Sequence, residues 1–407
     1  MINWIRNPQG TIITFFMERS GDIQKPPMKR SRTIYGGIIL TAALAVAVLL
    51  LVVWPSDEPA TLPLAAEASV EDRLISGVAS QINGEEYLLA LTADGVMLQR
   101  PALAVFATGD DGTPRQIAGL PTPVDQLRDD LPAAPQMDFS NGTVYVPLAG
   151  TGGSALWIVD VSTPDSPEEL ATITLETEPG SVVTDGNFMA VGPMDGTIIR
   201  LFDISDPAET VQVDEFRQAL AAPSSLELAN QTLYITNERG VSVVDLSSTD
   251  APREIGNWSH EDWSRGIPRT AANITPRTAL EDDHLYAAGD IWGVDILDVA
   301  NPDDISTTTR RLRRTQIPQG GGGDHAIDVA VTDSALYILW RKGFVGRDPS
   351  RWQYTVQEAD VSAPGDPQVV SETAEITSAS SLKSLAATEN HVYFLNGDQI
   401  HVISPGH

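Results

Sequence analysis

LWIVDVSTPDSP, running from Leu156 to Pro167, returns along the chain as IRLFDISDPAET (Ile199 to Thr210), VSVVDLSSTDAP (Val241 to Pro252) and VDILDVANPDDI (Val294 to Ile305). A worn copy, VQEADVSAPGDP, ends at Pro367, and a fainter first copy, LAVFATGDDGTP, spans Leu103 to Pro114. Each holds a short apolar run rich in β-branched residues, which reads as a strand. An Asp then ends the run, and a Pro-rich hinge follows. The Asp carboxylate is suited to accept hydrogen bonds from amides just downstream, and the prolines stop the ladder. The turn residues Asp160, Asp203, Asp245, Asp298 and Asp360 lie 43, 42, 53 and 62 residues apart. The first two spacings give the period, and the longer two imply insertions of the kind surface loops absorb.

A second shared element lies about fifteen residues before each Asp. It reads NGTVYVPL around Tyr145, GNFMAVGP around Met189, NQTLYITN around Tyr234, DHLYAAGD around Tyr286, SALYILWR around Tyr337 and NHVYFLNG around Tyr393. Turn residues precede an alternating aromatic and aliphatic strand. Apolar stretches upstream (SVVT at Ser181, IDVAVT at Ile327) and downstream (EELATITL at Glu168) complete four short strands per unit. Four-stranded units repeated at this period spell an all-β fold of propeller type. The count is seven blades, the first a divergent unit near 72–120, with six or eight as alternatives. The last unit ends at Ser404 after three strands, so a strand from around Ala65 to Ala79 is expected to complete it and leave no raw edge.

These motifs carry a resemblance. The chain resembles the LVIVD-repeat β-propeller proteins of bacteria and archaea through LWIVDVSTPDSP, IRLFDISDP, VSVVDLSS and VDILDVANP, with Tyr145, Tyr234, Tyr286 and Tyr337 in the aromatic strands. It covers roughly residues 135 to 404. It implies a propeller and implies no catalytic residues.

The ends add a second feature. IYGGIILTAALAVAVLLLVVW, from Ile34 to Trp54, has 21 residues and no charge. At helical rise such a stretch spans a hydrocarbon core of about 30 Å. Arg6, Arg19, Lys25, Lys29, Arg30 and Arg32 precede it against only Glu18 and Asp22, so the positive-inside rule puts the N-terminus in the cytoplasm and the propeller outside. The expected organisation is a cytoplasmic segment 1–33, a transmembrane helix 34–54, a linker 55–70 and an extracytoplasmic propeller 71–407. The rival reading is a cleaved signal peptide with KRSR as its n-region, which the length of the apolar run disfavours. Met28 is an alternative start.

Net charge is −29 over 407 residues, and the excess of carboxylates lies beyond Trp54. Such a field repels nucleic acid and anionic lipid and suits basic partners or cations. There is no cysteine, which excludes thiol chemistry, Cys-ligated metal and lipid anchoring through Cys. Neither His-Glu-x-x-His spacing nor a calcium loop, P-loop or Gly-x-Ser-x-Gly elbow occurs, so no cofactor or metal is expected. The ring of repeated Asp residues reads as turn chemistry.

Specificity must then sit in what the copies do not share. Three inserts stand out: Gly256 to Thr278, Arg310 to His325 and Arg341 to Tyr354. They concentrate Trp and Arg, the residues enriched at binding hot spots, in an otherwise acidic domain. Trp258, Trp263, Arg265, Arg313, Arg347 and Trp352 are the candidate contacts, and the simple alternative is that Trp258 and Trp263 pack over a blade edge. Asp324 and His325, after a glycine run, are a candidate pair at the propeller mouth. The expected role is a membrane-anchored, non-catalytic scaffold for a protein or cell-envelope ligand, with a mouth-located hydrolase or metal enzyme and a structural surface component as alternatives.

Overall fold

The computed structural model describes residues 59–109, 112–218, 221–248, 251–259, 276–308, 312–313, 324–332, 335–342, 352–378 and 382–405, together with two short strands, Trp4–Arg6 and Ile12–Thr14. The chain divides into two compact units, Met1–Glu58 and Pro59–His407. In the first, the two short strands pair antiparallel. The apolar run 34–54 lies outside the described residues, among which no helix is long and apolar enough to cross a membrane.

Seven sheets, each led by a four-stranded antiparallel meander, fill the second unit. Blade 1 is Arg73–Ile82, Glu85–Asp94, Gln99–Thr108 and Pro114–Pro121. Blade 2 is Asp138–Ser140, Thr143–Gly150, Gly153–Asp160 and Glu168–Leu175. Blade 3 is Pro179–Asp185, Phe188–Pro193, Ile198–Asp203 and Val211–Arg217. Blade 4 is Ser225–Ala229, Thr232–Asn237, Gly240–Asp245 and Arg253–Ser259. Blade 5 is Arg277–Glu281, His284–Ala288, Val294–Asp298 and Ser306–Thr307. Blade 6 is His325–Thr332, Ala335–Arg341, Trp352–Asp360 and Gln368–Glu372. Blade 7 takes Lys383–Ala387, Val392–Asn396 and Gln399–Ile403 from the end of the chain and Leu64–Ser69 from its beginning. The first strand of each blade packs against the first strands of its neighbours, so a ring of seven inner strands surrounds a central channel.

Closure is by antiparallel pairing of Gln399 with Ser69, His401 with Glu67 and Ile403 with Leu64. The closing strand thus falls at the start of the expected window, and Ala79 belongs to the innermost strand of blade 1. Just upstream, Ala60–Thr61 pairs in parallel with Ser371 and Glu372 on the rim of blade 6. Residues 60–69, read in the sequence as linker, are therefore part of the propeller.

The repeated phrase does what its chemistry dictates. Asp160, Asp203, Asp245, Asp298 and Asp360 each accept the amide two residues on, at 2.8 to 3.0 Å. The following residue (Val161, Ile204, Leu246, Val299 or Val361) is buried, and in the first four its amide bonds back to the turn between the first two strands. That turn often needs positive φ, as at Asn141 (51°) and Gly142 (79°), the residues a tight hairpin demands.

The core is not one mass. Seven apolar clusters each join a blade to the next: Tyr87 with Val144 and Trp157, Tyr145 with Val182 and Met189, Tyr234 with Leu285, Tyr286 with Ile338, Tyr337 with Leu385 and Phe394, Tyr393 with Leu74 and Phe106. Between blades 3 and 4, where the aromatic position is Met189, Leu201, Leu226 and Leu233 fill the wedge. The repeated aromatic is thus an inter-blade wedge, at most 8% exposed in its six tyrosine copies. Tyr393 also shares a 2.6 Å hydrogen bond with Thr108 across the ring closure. Tyr393→Ala should lower unfolding free energy by about 3–5 kcal/mol through lost burial and cavity formation. Tyr393→Phe should lower it by about 1 kcal/mol, the net worth of one hydrogen bond. Denaturant unfolding of both variants checks this, and equal losses would refute the wedge role.

Candidate functional site

In a four-stranded meander, turns alternate between the two ends of the sheet. Connections from first to second and from third to fourth strand leave one face of the disc. Connections from second to third strand, and crossings from one blade to the next, leave the other. The three inserts fall on the crossing from blade 4 to 5, the crossing from blade 5 to 6, and the second-to-third connection of blade 6. They therefore share one face and occupy successive blades.

Their described anchors are knitted together. Trp258 donates its indole N–H to Thr307 Oγ1 at 3.1 Å, and half-buried it packs across the edge from blade 4 to blade 5. Arg313 is exposed and donates through Nε to the Trp292 carbonyl at 3.1 Å. Leu312 pairs with Val294, and Ala326 with Asp290. Trp352 opens the third strand of blade 6, half-buried, with the Arg341 guanidinium 5.4 Å over its ring. Trp263, Arg265 and Arg347 lie outside the described residues.

His325 finds its partner elsewhere than at Asp324. Its Nδ1 is 2.5 Å from Asp290 Oδ1, and Arg341 lies 3.9 Å from the same oxygen. Asp290 sits at φ 57° in the tight turn Gly289–Gly293, 35 residues upstream. The Asp290–His325–Arg341–Trp352 group ties blades 5 and 6 at the base of two inserts. The sequence offers no shared motif that would have joined Asp290 to His325.

The same face carries a feature sequence reading missed. The crossing from blade 1 to blade 2, residues 122–137, passes over the channel mouth. Gln136 pairs its main chain with Gly180 and Val182 of blade 3. Its side chain reaches on to blade 4, accepting from Leu226 N at 3.0 Å and donating to Leu226 O at 2.7 Å. Arg277 of blade 5 donates to the Ala134 carbonyl. Arg128 pins the segment through Asp130 and Glu178.

Beneath this strap lies a cavity of about 270 Å³, with Glu227, Arg277 and Asp328 among its lining residues. Ser76 and Ser384 also line it, and their buried hydroxyls have no protein partner. Asp328 spans two blades, accepting from Val329 N at 3.0 Å and Leu385 N at 2.8 Å. Asp138 does the same on the opposite side of the ring, accepting from Phe139 N and from Thr184 N and Oγ1. Burial outweighs these bonds and pushes both carboxyls up to about 6. Burial also pushes Glu227 well above the usual range, with Asp138 and Asp328 adding to it. The cavity, lined by Glu227 and Asp328 whose burial favours their protonated forms, has room for a small polar solute or water. Among the described residues no cluster of three or more His, Cys, Asp or Glu is arranged to hold a metal ion.

No protein-family model and no curated protein matches the chain. Solved structures do. The WD40 β-propeller domain of Doa1 is 10% identical, with 84% of this chain and 96% of that one covered at a TM-score of 0.53. A protein from Lactobacillus plantarum is 12% identical, with 80% and 89% covered at 0.53. A functionally unknown protein from Desulfotomaculum acetoxidans is 11% identical, with 73% and 85% covered at 0.51. Identity this low speaks for fold alone; with the seven sheets, the chain is a seven-bladed β-propeller.

Asp138 and Asp328 hold protons more tightly folded than unfolded, so the stability they add is complete below their ordinary value of 3.8 and is lost as pH rises through about 6. Carboxyl-carbon NMR titration should show two midpoints near 6 that vanish singly in Asp138→Asn and Asp328→Asn. A spectrum in which every carboxylate titrates in the ordinary range would contradict this.

Proposed function

We propose that the chain is a binding scaffold of LVIVD type. A helix over residues 34–54 holds it at a membrane, and the propeller stands on the extracytoplasmic side. Its ligand is a protein or cell-envelope component. The observation that carries this reading is topological: three Arg-bearing inserts, the first and third also bearing Trp, leave one face of blades 4, 5 and 6. Rigid β units beneath irregular segments are the usual arrangement for recognition. The repeats supply rigidity, since each blade is wedged against both neighbours. The strap at 122–137 narrows the channel on that face, so a large partner meets a surface rather than a bore. The acidic charge of the domain favours a partner with basic groups and disfavours nucleic acid.

The anchors suggest a division of labour. Trp258, hydrogen-bonded to Thr307, fixes the base of the first insert. Trp352, under Arg341, fixes the base of the third. Arg313 is already in solvent. Affinity capture from envelope extracts with the full chain should recover a partner that is lost, by at least about tenfold in yield, when Trp258, Arg313 and Trp352 are replaced together by Ala; hot-spot losses of that size are ordinary. Asp165→Lys with Asp366→Lys, on exposed turns of the opposite face, should leave capture unchanged. Loss with the opposite-face pair and retention with the triple variant would overturn the assignment.

A further inference from the structure

We propose that Ser378 and Lys383 form a serine–lysine acyl-transfer centre on the insert-bearing face, acting on small carboxylic esters. The two residues flank the crossing from blade 6 to blade 7. Ser378 ends the strand Ile376–Ser378, which pairs with the third strand of blade 6, and its cross-strand partner is Trp352. Lys383 opens the innermost strand of blade 7.

The geometry meets the three requirements of an activated nucleophile. Ser378 Oγ is 2.5 Å from Lys383 Nζ, within reach for direct proton transfer. A third group holds the base: Asn396 Oδ1 accepts from Nζ at 2.6 Å. The base is sheltered, with Lys383 9% exposed and its Nζ 4.9 Å over the Tyr354 ring, while Ser378 stays half-buried at the rim. Trp352, beside Ser378 across the strand pair, offers an apolar wall for an acyl group.

The charge environment suits a neutral amine. No ion pair to Lys383 occurs among the described residues. The charged and titratable groups around it are Arg73 from blade 1, His401 from blade 7 with its partner Glu67, and Tyr354 from blade 6. Burial first, and Arg73 second, bring the ammonium down to about 7. Burial also lowers His401, keeping a second cation away near neutral pH.

The reaction balances without a co-reactant other than water. The Ser378 oxygen bonds to the ester carbonyl carbon while its proton passes to Lys383 Nζ. The bond to the leaving oxygen breaks, and that oxygen takes the proton from Nζ as an alcohol. Water then attacks the acyl-serine carbonyl and gives a proton to Nζ. The acid departs and Ser378 recovers its proton. The sum is ester plus water giving acid plus alcohol.

The test uses the full chain, a serine-reactive fluorophosphonate and p-nitrophenyl acetate. Wild type should be labelled and should turn over the ester, with a pH profile rising through about 7. Ser378→Ala should lose at least about tenfold of both, since the nucleophile itself is gone. A second variant guards against trivial unfolding. The chain has no cysteine, so in Ser378→Cys alkylation by iodoacetamide reports on one atom. Lys383 should move its thiolate midpoint at least one unit below the ordinary value of about 8.5. Absent labelling of wild type, labelling that survives in Ser378→Ala, or an ordinary thiol profile in Ser378→Cys would each overturn the proposal. The capture experiment above reads partner binding and not ester turnover, and Ser378→Ala leaves Trp258, Arg313 and Trp352 in place, so failure of one proposal is distinguishable from failure of the other.

Discussion

Five backbone pairings between Gln399–Ile403 and Leu64–Ser69 hold the two ends of the propeller together, and the rest of the molecule depends on them. Without the strand from the beginning of the chain, blade 7 would be a three-stranded sheet with an open edge. The wedge of Leu74, Leu88, Phe106, Tyr393, Ile400 and Val402 would then lose the sheet that backs it. In a fold whose core is divided into seven inter-blade clusters, no cluster is large enough to persist alone. Each is stable because the blades on both sides are themselves wedged. Opening the ring removes that mutual support at two blades at once. The polar contacts across the same seam follow this logic. Glu86 of blade 1 receives bonds from Thr388, Asn390 and His391 of blade 7, and these bonds, acting against its burial, hold its carboxyl below the usual range.

Closure also decides where function can reside. The inner strands form a narrow bore, apolar wedges pack between successive blades, and the turns that repeat are committed to Asp-capped hinges. What remains is the variable chain, and strand alternation sends the long variable segments to a single face. There the strap at 122–137 crosses the bore. The Asp290–His325 pair and the Arg341–Trp352 stack brace the feet of two inserts, and Ser378 and Lys383 meet at the next crossing. The face combines a rigid floor with segments whose sequence the repeats do not share.

Much of this was legible in the residues. The hinge, Asp–x–Ser in four copies and Asp–x–Ala at Asp298, announces its own hydrogen bond, and all five turn carboxylates make it. The tyrosine three residues after a turn signal marks the wedge; in the worn first unit Tyr87 follows the turn Asn83-Gly84 at the spacing Tyr145 keeps from Asn141-Gly142, but Glu85 and Glu86 stand in the strand where Thr143 and Val144 stand in the second unit, which masks the likeness. The missing fourth strand of the last unit told of a closing strand, and only its register, Leu64–Ser69 rather than further on, needed coordinates. The site was less legible. Trp258 and Trp352 stand out by type, but which groups they touch depends on partners 49 residues away or on another strand. Asp290, Gln136 and the Ser378–Lys383 contact leave no periodic trace, because long-range pairings through turns obey no spacing rule. Buried carboxylates such as Asp138 and Asp328 look in sequence like any other acid in a chain with 55 of them.

The central claim is that residues 64–69 are structurally the last strand of the seventh blade. Native-state hydrogen exchange resolved by residue tests it most directly. The amides that pair across Leu64–Ser69 and Gln399–Ile403 should exchange together, at the slow rate set by global unfolding, alongside those of the buried second strands. Fast exchange of residues 64–69, while 399–403 stay protected, would contradict closure of the ring by the beginning of the chain.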